Sequence, residues 1–394
     1  MKKKTIFISK KYDKKEKNEE KTIHKENPKI LNKKINRDKK ENEMYKGNDN
    51  IEKSQNSNNP QSLKEFINLT EDSQSYFSFD NTFCVFNSIN DILYLIYSNK
   101  NSILSYNLID NKKINEIKNA NPEKQFITNF RHHLDSINNR DLLISISAWG
   151  NNIKLWNVNN WECLNNFEHI YSNGYLYSAC FLNDNNDILI LTSNYNKNYF
   201  VNYAEYIKIF ALNGSYYNLS NSGESAFSID IYYDKNLNKN FIITGNKDCV
   251  NSYDFIENKL YHKYSSNGHF FNEFHYCTIV INSDKIIKLL ESSGHGAIRI
   301  WNFHSGKMMK KIQINKSCKL FGICLWDDCH IFVGGEDNKI NLIDIKKGEV
   351  INGLIGHDNW VLTIKKIMHP KYGECLISQG YSDDQIKLIK KVNF

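Results

Sequence analysis

Several common signatures are missing from these 394 residues. There is no P-loop, no G-x-G-x-x-G and no H-E-x-x-H, so the usual phosphate, dinucleotide and zinc-protease motifs are excluded. No segment approaches the ~18 consecutive apolar residues of a membrane-spanning helix. The apolar stretch after Lys2–Lys4, "TIFI", is too short for a secretory signal. Cysteines number nine, an odd count, and none forms a C-x-x-C pair. Scattered cysteines without a signal segment suggest buried thiols in a reducing compartment. Cys324, Cys329 and His330 are neighbours in sequence, but their spacing fits no usual zinc pattern and reads as core thiols. Neither a metal nor another cofactor is expected. The expected setting is inside the cell, in the cytoplasm, with the nucleus as an alternative. Proline is rare, at 4, while Tyr and Phe reach 23 and 22. Aromatic rings fit a pleated, half-buried surface, so this balance favours β structure.

The charge is lopsided. Residues 1–53 hold 18 Lys+Arg and 10 Asp+Glu, a net +8, whereas the rest holds 33 and 34. Residues 1–60 are mostly Lys, Glu and Asn, with no helical or strand period. Such a segment buries too little apolar surface to offset the entropy of ordering, so a disordered basic tail is expected there. It reads as a solvated tail, as a nuclear-import patch around Lys33–Lys40, or as a loose contact for nucleic acid or acidic proteins. The interleaved acids weaken the functional readings.

From about residue 63 the chain repeats. "ILSYNL" (103–108), "IKLWNV" (153–158), "IKIFAL" (207–212), "VNSYDF" (250–255), "IRIWNF" (298–303), "INLIDI" (340–345) and "IKLIKK" (386–391) align. They place Tyr106, Trp156, Phe210, Tyr253, Trp301, Ile343 and Ile389 in one column, at steps of 50, 54, 43, 48, 42 and 46 residues. A short apolar run precedes each column strand and a further strand lies on either side, so each unit predicts a four-stranded antiparallel sheet. Runs such as "ILILTS" (188–193) are apolar on both faces. A sheet wetted on one side would alternate, so these sheets need cover on both sides. Seven sheets packed face to face around an axis supply that cover. The fold expected for 63–394 is all-β, a seven-bladed β-propeller of four-stranded blades. Ile389 lies five residues before Phe394, so the seventh unit is short of an outer strand. Residues 63–79, "LKEFINLTEDSQSYFSF", are expected to supply it and close the ring.

The repeats resemble the WD-repeat family, whose unit carries Gly-His before the first strand and Trp-Asp at the end of the third. Gly356-His357 matches the first dipeptide and Gly268-His269 is its counterpart in the fifth unit. Trp156-Asn157 and Trp301-Asn302 approximate the second, while Tyr253-Asp254 and Ile343-Asp344 keep only its acid. Asp337 and Asp383 occupy the family's structural Asp position. No unit carries the complete His, Ser/Thr, Asp and Trp set, so apolar packing is expected to hold the ring more than those networks do. The resemblance implies a non-enzymatic scaffold or adaptor that holds protein or peptide partners within a multiprotein complex. It implies no small-molecule substrate and no membrane contact. A nucleic-acid-associated propeller of the ribosome-assembly or chromatin kind, using the tail, is the alternative. "NFRHHL" (129–134) has one Arg where phosphoinositide-binding propellers have Phe-Arg-Arg-Gly, and "WNVN" and "WNFH" lack the Arg of one ubiquitin-ligase class.

In the family, the turn before the column strand and the Gly-His connection share one rim, where partners commonly bind. Trp149 falls in the second unit's turn. The third unit's turn is expanded to "NYNKNYFVNYAE" (194–205), bringing Tyr195, Tyr199, Phe200 and Tyr203. Tyr, Trp and Asn are residues that recognition surfaces favour. Those side chains, with Trp360 after Gly356-His357, are the candidate partner-binding set.

Overall fold

The computed structural model describes residues 66–70, 82–123, 125–172, 174–184, 186–195, 207–220, 222, 224–265, 273–283, 286–381 and 385–390. Each repeat forms one four-stranded antiparallel sheet, and there are seven. Blades 1 to 6 cover 83–117, 129–167, 175–218, 226–264, 275–313 and 320–355. Blade 7 covers 361–390 and takes its outer strand from Phe66–Asn68. That strand pairs antiparallel with Ile386–Lys390, placing Phe66 opposite Ile389 and Asn68 opposite Lys387.

The seven first strands touch one another in cyclic order, the last against the first. The fold is therefore an all-β, seven-bladed propeller. Second strands are buried along nearly their whole length, as in Arg140–Ser147 and Gly373–Gly380. They are apolar on both faces because each face meets a neighbouring blade. One apolar cluster fills each space between blades. Ile96, Leu143 and Trp156 join blades 1 and 2. Phe332, Leu342, Ile364 and Leu376 join blades 6 and 7. Leu95, Tyr97, Ile377 and Leu388 join blades 7 and 1 across the closure. Each fully buried Leu, Ile or Phe contributes about 1.5–3 kcal/mol of transfer free energy, so this packing dominates the fold. Polar contacts mark the same seam. Thr82 N and Oγ1 lie 3.2 and 3.1 Å from Thr363 Oγ1, and His369 Nε2 lies 3.2 Å from Leu108 O.

Pieces of a His–Ser–Trp network occur in separate blades. Trp156 Nε1 donates to Ser145 Oγ at 2.9 Å in blade 2, and His357 Nε2 meets Ser378 Oγ at 2.7 Å in blade 7. In blade 3, Tyr171 does what His357 does, with its hydroxyl 2.7 Å from Thr192 Oγ1. A second device recurs more often. The residue two before the column position reaches back to the connection that leads into its own blade. Lys154 donates to Ala120 O, Lys208 to Ile170 O and Lys387 to Gly356 O. Asn251 donates to Glu224 Oε2 at 2.8 Å, and Arg299 to Glu273 Oε2 at 2.6 Å. These bonds satisfy three backbone carbonyls and two carboxylates of the connections.

At the hub, Arg131 ties three blades together. It stands on the first strand of blade 2 and donates to Ala179 O and Ile229 O, both at 3.3 Å, on the first strands of blades 3 and 4. The abundant asparagines have a local use as well. Asn111, Asn139, Asn151, Asn238, Asn258 and Asn338 hold φ between 49° and 62° in the tight turns. Asn is among the few residues with a side chain that visits this left-handed region readily.

Candidate functional site

The chain enters every blade at the start of its first strand. The entering connections and the turns between second and third strands therefore share one rim, the entry rim. The remaining turns lie on the opposite rim.

On the entry rim, five first strands share an irregularity. In blades 3 to 7 the pairing of first and second strands slips by one residue. The extra residue falls at Tyr177, Phe227, Tyr276, Phe321 and Leu362. A bulge turns a side chain out of the regular alternation, and here it gathers these five into one cluster, with Phe274, Trp360 and Tyr381 packed against it. Blades 1 and 2 pair without a slip. Ring contacts run along the arc. Tyr177 meets Phe227 at 5.5 Å, Phe227 meets Phe274 at 4.9 Å, and Tyr276 meets Phe321 at 5.1 Å. Trp360 lies stacked between Phe321 at 5.9 Å and Tyr381 at 5.4 Å. Lys319 Nζ sits 5.5 Å from the Trp360 ring and 2.5 Å from Glu336 Oε1. Phe227, Tyr276, Phe321 and Leu362 are buried and form the floor, while Tyr177, Phe274, Trp360 and Tyr381 are partly exposed. Such a surface offers aromatic edges and faces to an apolar or cationic partner group.

Trp149 stands apart, in blade 2. Its side chain is 50% exposed, with the ring 6.0 Å from Phe126 at the connection into the same blade. Blade 1 separates it from Trp360, and no ring contact links the two among the described residues. Tyr195 ends the second strand of blade 3. Tyr199, Phe200, Tyr203, Asp383 and the Gly268-His269 pair lie outside the described residues. Asp337 accepts from Lys339 N at 3.3 Å in the blade 6 turn. Trp301 is buried as the column residue of blade 5. Cys324 packs between blades 6 and 7, while His330 Nδ1 lies 2.9 Å from the Asp327 carboxylate.

Sequence reasoning missed the arc and also a charged cluster just beneath the rim of blade 5. Arg299 donates to Glu273 Oε1 and Oε2 at 2.7 and 2.6 Å and to Glu291 Oε1 at 3.1 Å. His275 Nδ1 lies 2.8 Å from Glu291 Oε2. All four side chains are buried. Burial works to raise the Glu273 carboxyl, but the Arg299 hydrogen bonds and charge outweigh it and hold Glu273 down to about 2. These groups face one another rather than solvent, so they brace the blade. Aligning the first strands as the column strands are aligned would have exposed the arc: "LYS", "AFS", "HYC", "LFG" and "VLT" share one position.

No protein-family model matches the chain, and no curated protein matches it. Among solved structures it is similar to the crystal structure of Raptor from Chaetomium thermophilum, with a TM-score of 0.60 at 15% identity. The match covers 83% of this chain and 29% of that one. At this identity the likeness is one of fold, and this chain spans less than a third of the length of that protein.

Proposed function

We propose that the chain is a WD-repeat-type propeller acting as a non-enzymatic scaffold that holds protein or peptide partners on its entry rim. The observation that carries this reading is the aromatic arc, with Tyr177, Phe274, Trp360 and Tyr381 partly exposed above a buried floor. Trp149, half exposed on the same rim, adds a second anchor. Large aromatics supply interface hot spots, where one truncation costs about 2 kcal/mol or more. Affiliation with the WD-repeat family rests on the Trp156–Ser145 and His357–Ser378 bonds, which are parts of that family's network. The setting proposed is cytoplasmic, with the nucleus as an alternative.

The test is affinity purification from the native cell with mass spectrometry. Trp149→Ala with Tyr199→Ala is expected to leave folding intact and lose at least one co-purifying protein, as is Trp360→Ala. An unchanged set of partners from both variants overturns the reading. The net +8 of residues 1–53 favours a second reading, in which the tail contacts nucleic acid. Salt-dependent retention of RNA or DNA that disappears when residues 1–60 are deleted would favour it.

A further inference from the structure

The rim opposite the entry rim carries turns with an unusual make-up. Turns that serve only the fold are built from Gly, Asn, Asp and Ser. In blades 2 and 4 they also present Ile137 and Ile256, exposed to 63% and 64%, with Tyr233, 47% exposed, beside them near the end of the first strand of blade 4. These side chains edge two adjoining clefts. One, of about 550 Å³, lies between blades 3 and 4 and is walled by Phe181, Ile231, Tyr233 and Ile256. The other, of about 460 Å³, lies between blades 2 and 3 and is walled by Ile137, Ile188 and Leu212. A smaller hollow lined by Asn183, Asn186 and Ile188 connects them.

The acidic residues Asp135, Asp184 and Asp187 line this groove. Asp135 is bonded to Arg140 at 2.8 Å. No Lys or Arg is among the residues that line the three clefts. Burial lowers the pKa of His133, which favours its neutral form. Asparagine is the commonest polar residue of the lining, and its amide both donates and accepts hydrogen bonds and so suits an extended backbone.

The geometry points to a docking groove across blades 2, 3 and 4 for an extended segment of another protein that carries aliphatic side chains flanked by Lys or Arg. The aliphatic groups fill the two clefts, the amides of Asn183 and Asn186 bracket the backbone between them, and the cations face Asp184 and Asp187. This site is separate from the entry rim, so the two readings stand or fall independently.

A phage-displayed library of short random peptides, selected against the immobilised full-length chain, tests it. Selected sequences are expected to combine Ile, Leu or Val with Lys or Arg. A synthetic peptide from that selection is expected to bind the chain with an affinity that falls as salt rises. Ile137→Ser and Ile256→Ser are each expected to weaken it by roughly tenfold or more. Both positions are exposed, so the variants keep the melting temperature of the parent, which is measured alongside. Asp187→Lys is expected to weaken the same peptide, while Trp149→Ala leaves it unchanged. Selection without a consensus, an acidic consensus, or binding indifferent to Ile137→Ser overturns the proposal.

Discussion

Arg299 holds two buried carboxylates, Glu273 and Glu291, so three buried charges of blade 5 depend on one another. Removing one partner of a buried ionic group leaves charge without compensation and costs about 3–5 kcal/mol. Arg299→Met is therefore expected to destabilise the fold by that amount in chemical denaturation. The same cluster sets an acid response. Glu273 is held down to about 2 from 4.5, so its contribution is full above pH 4.5 and is lost as pH falls toward 2. Parent stability should drop across that window, and the Arg299→Met variant should show a flatter slope there. A variant within 1 kcal/mol of the parent, or with an unchanged slope, would contradict the assignment. None of this was legible in "AIRIWNF", where Arg299 looks like one polar residue in an apolar strand. Its partners come from a neighbouring strand and from the connection, and pairing across elements leaves no local pattern.

The repeat was legible because burial on both faces of the second strand imposes an apolar run ahead of every column strand. The bulged first strands were not, because one extra residue breaks the alternation that sequence reading relies on. The cationic device lies between these cases. Lys154, Lys208, Arg299 and Lys387 share one register position, two before the column, yet their acceptors are mostly backbone carbonyls that no side-chain pattern marks. A hydrogen bond from a charged donor contributes about 1.5–3 kcal/mol. Lys154→Met and Lys208→Met should each cost about that much, whereas Met in place of the exposed Lys112 should cost less than about 0.5 kcal/mol. Equal effects at all three positions, read from denaturation midpoints, would remove the device from the account. Beside the Trp156–Ser145 and His357–Ser378 bonds, the blades are thus braced by Lys in 2, 3 and 7, Asn–Glu in 4 and Arg–Glu in 5.

At the scale of the molecule, the ring distributes its core over seven interfaces, and no blade covers both of its own faces. Pitch and apolarity made this architecture readable. The exact position of the closing strand was not, since 63–79 offered several registers, of which the strand Phe66–Asn68 is the one described. Closure is the claim on which the rest depends, because an open ring would expose the blade 7 and blade 1 faces that meet at Leu95 and Leu388. A disulfide engineered between Ile67→Cys and Leu388→Cys, directly paired across the seam, measures it most directly. Opposed residues of an antiparallel pair have Cα atoms about 4.5–5.5 Å apart, within reach of a disulfide. The bond is expected to form in the folded chain under mild oxidation and to raise the melting temperature over the reduced form. Thiols that stay free in the folded chain, or a bond that lowers the melting temperature, would contradict the closed propeller.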